Sequence, residues 1–100
     1  MNKIDSPERF DELPKEQQDF LLKWIANNLR PIQTINKRHT SYNIKHWIEE
    51  EYTDVYYSNG EFKGAMLEAG YKTNDPDTLN WCFNISELSP IIVKRKAQNK

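Results

Sequence analysis

His39, His46 and Cys82 are the side chains of this chain best suited to soft-metal or nucleophilic chemistry. Their spacing argues against either. A zinc site pairs its ligands at short intervals, and these three contain no such pair. Cys82 falls in an alternating segment, where a small, half-buried thiol is expected rather than a nucleophile. The run Glu49-Glu50-Glu51 reads as a solvated helix end. Carboxylates there oppose the helix dipole, which points to another use, such as facing a basic partner. No phosphate loop or dinucleotide fingerprint occurs. The expectation is a non-enzyme with no cofactor and no metal.

The other residues with chemistry to offer are cationic. The 100-residue chain has a formal net charge of −1, so bulk charge does not make it a polyanion binder. The distribution is uneven. Residues 1–29 carry −2, residues 30–48 carry +4 with no acid, residues 49–68 carry −5 and residues 69–100 carry +2. Two basic groups stand out: Lys37, Arg38 and Lys45, leading into a helix beside Tyr42 and Trp47, and Lys94, Arg95, Lys96 and Lys100 in the tail. Each phosphate neutralised releases counterions, so a few such contacts suit weak, salt-sensitive nucleic-acid binding. Trp47 shares a face with Ile44 and Ile48 and reads as core.

The elements that must position these residues are well punctuated. Ser6-Pro7 starts a short helical turn, with a side-chain cap and proline at the first helical position. Pro14 to Leu29 is a helix whose Phe20, Leu21, Leu22, Trp24, Ile25 and Leu29 span an arc wide enough for more than one neighbour. "PIQTI" alternates briefly, as a short edge strand would. Thr40 caps a helix reaching about Tyr52, with Ile44, Trp47, Ile48 and Tyr52 on one face. Ser58 and Glu61 form a capping box for the next helix, which buries Phe62, Ala65, Met66 and Ala69 and stops at Gly70. Tyr71 to Thr73 is a candidate strand and Asn74 to Thr78 a turn. Leu79, Trp81, Phe83 and Ile85 alternate with polar residues as a half-buried strand.

This order predicts an α+β fold, a winged helix-turn-helix with three main helices and a small antiparallel hairpin. The wing would be the 74–78 turn. The competing reading is a generic three-helix α+β domain with a hairpin. The predicted organisation is an N-terminal arm with a short helical turn over 1–13, the domain over 14–86 and a basic C-terminal tail over 87–100. The third helix is a poor DNA reader. Its outer face, Gly60, Lys63, Gly64 and Leu67, is flanked by Glu61 and Glu68, whereas base edges want arginine, lysine, asparagine or glutamine. A bare glycine face with an exposed leucine suits close packing by another protein.

"HTSYNIKHWIEEE", "YYSNGEFKGAMLEAGY" and "LNWCFNI", in that order, resemble a group of small winged helix-turn-helix proteins of Gram-positive phages and mobile elements. In particular they resemble the middle protein that partners an A-family DNA polymerase in staphylococcal cassette chromosome replication modules. The resemblance covers about residues 39–85. It implies a non-catalytic accessory subunit that binds the polymerase tightly and lets it start primers de novo. It transfers no site residues. From the residue pattern, the nucleic-acid contacts are expected at Lys37, Arg38, Lys45, Lys94, Arg95 and Lys96, with single-stranded DNA bound weakly by the protein alone. The partner contacts are expected at Gly60, Lys63, Gly64 and Leu67. The alternatives are a dimeric transcriptional regulator and a phage-type inhibitor of a host nucleic-acid enzyme using the acidic 49–68 segment as a mimic. One cysteine excludes an internal disulfide and suits a reducing cytoplasm. No apolar run approaches the roughly 18 residues that span a bilayer, and "MNKIDSPERF" has no signal-peptide core. A cytoplasmic protein with no membrane partner is expected.

Overall fold

The computed structural model describes residues 5–98. Ser6 accepts a hydrogen bond from the Glu8 N–H and opens a 3₁₀ turn over Pro7–Glu12. Four α-helices follow among the described residues: α1 (Lys15–Asn28), α2 (Ser41–Glu51), α3 (Asn59–Glu68) and α4 (Pro90–Gln98). The local stop and start signals act as their chemistry dictates. The Thr40 hydroxyl accepts from the Asn43 N–H at the start of α2, and Ser58 and Glu61 close a reciprocal capping box on α3. Gly70, at φ 94°, ends α3. Gly70 N–H donates to the Leu67 carbonyl and Tyr71 N–H to the Met66 carbonyl, which satisfies two of the orphan acceptors.

One apolar cluster joins Leu21, Trp24, Ile25 and Leu29 of α1 to Ile44 and Ile48 of α2 and Phe62, Ala65 and Met66 of α3. The wide apolar arc of α1 is explained by two neighbours, α3 and α4. Of the segment expected as a basic tail, Pro90–Gln98 is helical and inserts Ile91 and Ile92 into the same core.

The expected α+β winged fold is corrected by the absence of a sheet among the described residues. There are only two isolated antiparallel bridges, Pro31 with Ile85 and Thr40 with Cys82. No hairpin forms with residues 71–73, and the 74–78 turn is therefore not a wing. The alternation of Trp81, Phe83 and Ile85 does report burial, at 4%, 0% and 1% exposure. It does not report a ladder: the Ile32, Asn36 and Ser41 N–H groups donate to the Asn84, Phe83 and Trp81 carbonyls at irregular intervals, and side chains take further bonds that a neighbouring strand would make. The Asn84 amide donates to the Ile32 carbonyl (2.8 Å) and its oxygen accepts from the Lys72 N–H (2.7 Å). The Ser41 hydroxyl accepts from the Trp81 N–H (3.0 Å) and donates to Asn59 Oδ1 (2.8 Å). The Asn59 amide in turn donates to the Leu79 carbonyl (3.0 Å). Leu79, expected on the buried face, is exposed.

The second correction concerns α3. It is the centre of the molecule rather than a projecting helix. Gly60, Phe62, Lys63, Gly64, Ala65 and Met66 are all buried, and the 3₁₀ turn lies across the glycine face. A Cβ on Gly64 would come within 2.2 Å of the Pro7 carbonyl oxygen and 2.4 Å of Phe10 Cβ. The close approach that this glycine permits is made by the chain's own N-terminal turn.

Candidate nucleic-acid interface

The two basic segments are brought together by Glu87, which is half-buried between the loop before α2 and helix α4. Its carboxylate accepts from the Asn36 amide (2.6 Å) and from Lys96 Nζ (2.8 Å), and lies 2.6 Å from His39 Nε2. Burial alone would raise this carboxyl. The hydrogen bonds from Lys96 and Asn36 and the contact with His39 outweigh it and bring the pKa from its ordinary 4.5 to about 2. Asn36 also donates to the Ile85 carbonyl (3.0 Å) and accepts from the Arg38 N–H (3.0 Å), which fixes the turn carrying the cations.

Lys37 and Arg38 project from this braced turn. Both are exposed, and neither makes an ion pair among the described residues. They border an open concavity of about 470 Å³ whose floor includes Ile32, Ile35 and Asn36. Helix α2 begins next to them with no acid in its first turn and with Tyr42 48% exposed. A loop with two free cations, a positive helix end and an exposed ring can meet a phosphate and a base together.

The remaining predicted cations have other duties. Lys94 is exposed. Lys96 is held by Glu87, and Arg95 is held by Glu50 (2.6 Å) with its guanidinium 5.0 Å from the centre of the Trp47 ring. Lys100 lies outside the described residues. Lys45 is only 4% exposed. Its Nζ donates to Glu49 (2.8 Å) and lies over the rings of Tyr56 (4.8 Å) and Tyr42 (5.5 Å), so it faces the protein rather than a phosphate.

The expected partner face is mostly interior. Gly60 and Gly64 are covered, and Lys63 is fully buried, donating to the Asp5 carbonyl (3.1 Å) with its ammonium 4.8 Å from the Trp81 ring centre. Burial pushes the Lys63 pKa down, opposed by the charge of Asp5. Leu67, 43% exposed, is the member of that set that reaches the surface, at the seam between α3 and the 3₁₀ turn.

The soft ligands go to separate places. His39 meets Glu87, His46 lies 3.2 Å from Glu49, and Cys82 is half-buried on the extended segment. Burial raises the Cys82 thiol, with Lys37 pulling the other way. No group of three or more such side chains that could hold a metal occurs among the described residues. Nor is any helix there long and apolar enough to cross a membrane. Asn36 and Glu87, the hub of the site, carry no local signal, because they are 51 positions apart and neither belongs to a recognisable motif. Comparison with protein-family models, curated proteins and solved structures finds no match.

Proposed function

We propose that this protein is a non-catalytic accessory subunit of a mobile-element DNA replication module. In this reading it binds a partner DNA polymerase, presents single-stranded DNA to it and so supports primer synthesis. The observation that carries the nucleic-acid half is the joining of the two basic segments by Glu87, which leaves Lys37 and Arg38 free on a braced turn beside exposed Tyr42. Single strands suit such a site, because bases can stack on an exposed ring while cations follow the backbone. The polymerase half rests on the sequence resemblance, and exposed Leu67 is the part of the anticipated docking face available to it.

The regulator alternative needs a helix free to enter a groove, and α3 is buried under the N-terminal turn. The nucleic-acid-mimic alternative needs a contiguous run of free acids, and in the 49–68 segment Glu49 and Glu50 are paired with Lys45 and Arg95 and Glu61 caps α3, which leaves Glu51, Asp54 and Glu68 dispersed.

The test is primer synthesis on an unprimed single-stranded template by an A-family polymerase of the resembled replication module. The protein should co-elute with the polymerase in gel filtration, and synthesis should require it. A polymerase that neither binds the protein nor changes its priming with it would overturn the proposal.

A further inference from the structure

Given the nucleic-acid half of the proposed function, on which this rests, we infer that Tyr56 is a second base-stacking residue. A single strand held at Lys37 and Arg38 then runs along α2 over Tyr42 and ends on Tyr56, with unpaired bases as the ligand of the two rings. Tyr56 is 67% exposed. It lies in the irregular stretch before α3, where the side chains on either side of it turn inward. Val55 packs against the core, and Tyr57 is buried with its hydroxyl donating to the Gln17 carbonyl (3.1 Å). The Tyr56 ring is no part of that core, so packing does not account for it.

The two exposed tyrosines are neighbours across one ammonium. Lys45 Nζ lies 5.5 Å from the centre of the Tyr42 ring and 4.8 Å from that of Tyr56. Lys45 is itself buried, so each ring covers it on one side and turns its remaining surface to solvent. His46 widens the surface, its ring meeting Tyr42 edge to face with 4.4 Å between centres. Glu49, the acid beside these rings, is committed to Lys45 (2.8 Å) and His46 (3.2 Å). Any base can stack on an exposed ring, because every base has a π-face, whereas phosphates need the cations. Cations at the start of α2 and rings farther along it therefore suit a strand whose phosphates are held first and whose following bases stack. Glu51 and Asp54 are exposed and make no ion pair among the described residues, so they repel phosphates and end the path at Tyr56.

The experiment follows, by anisotropy at low salt, binding of the full-length chain to a fluorescein-labelled oligothymidylate and to an abasic oligomer of the same length and charge. Tyr56→Ala should weaken binding to the oligothymidylate about tenfold and leave binding to the abasic strand unchanged. Its log–log salt slope should match that of the unaltered chain, because no phosphate contact is lost. Tyr56→Phe, which keeps the ring, should bind as the unaltered chain does. No loss in Tyr56→Ala, equal losses on the two strands, or a loss in Tyr56→Phe as large as that in Tyr56→Ala would overturn the stacking role alone. So would a Tyr56→Ala chain that still holds the oligothymidylate but no longer co-elutes with the polymerase, which would make the ring a protein contact. An unaltered chain that binds neither strand would overturn the nucleic-acid reading, and the stacking role with it.

Discussion

At the scale of single residues, exposure separates the cations more sharply than their order in the chain does. Lys37 and Lys45 belong to the same acid-free stretch, yet one is exposed and the other is enclosed by Tyr42, Glu49 and Tyr56. Lys45→Met should therefore leave the salt dependence of single-strand binding unchanged. Glu87 is the opposite case, an acid at the heart of a basic site. Its folded pKa is depressed, so its contribution is complete above about pH 4.5 and is lost as the pH falls toward 2. Glu87→Gln should cost roughly 3 kcal/mol at pH 7, an order-of-magnitude figure taken from that shift. Urea unfolding across pH 2–7 should show the difference from the unaltered protein closing toward the acid end. A difference that stays constant with pH would mean that Glu87 acts through packing and not through its charge. The acid-free stretch was legible from the sequence, but which of its cations stay unpaired among the described residues was not, since Lys45 finds Glu49 one turn beyond it. The burial of Lys45 and Lys63 was not, since it depends on Tyr56 for one and on Asp5 and Trp81 for the other.

At the scale of elements, signals that act within a few residues were readable and those acting across the chain were not. The Thr40 cap, the Ser58–Glu61 box and the Gly70 stop bound their helices because their partners lie within one turn. The alternation over 81–85 gave the buried face, but its backbone bonds go to the distant 32–41 segment and to the side chains of Asn84, Ser41 and Asn59, two of them contributed by α2 and α3. Gly64 signalled a close approach without naming what approaches, since Pro7 and Phe10 are more than fifty residues earlier. A methyl group at Gly64 must displace backbone, so Gly64→Ala should lose roughly 2 kcal/mol, in the range of overpacked cores. Hydrogen exchange should quicken selectively at the Arg9 and Leu13 amides, which bond within the arm. A variant as stable as the original, with those amides equally protected, would show that the N-terminal turn does not need the glycine.

At the scale of the whole molecule, the near-zero net charge conceals a division of labour. Acids at the end of α2 neutralise Lys45 and Arg95, Glu87 ties the loop to α4, and Lys37 and Arg38 are left facing outward. The would-be reading helix is the internal post on which the 3₁₀ turn, α1 and α2 pack. Under the proposed function, a protein built this way would meet nucleic acid with a loop edge rather than a groove-filling helix. The most direct test of that edge is the salt dependence of binding to a fluorescent single-stranded oligonucleotide, measured by anisotropy for the unaltered chain and for Lys37→Ala/Arg38→Ala. Two phosphate contacts on a single strand should lower the magnitude of the log–log slope by about 1.4 in the double variant. An unchanged slope, with the variant folded, would contradict the assignment of Lys37 and Arg38 as the nucleic-acid contact.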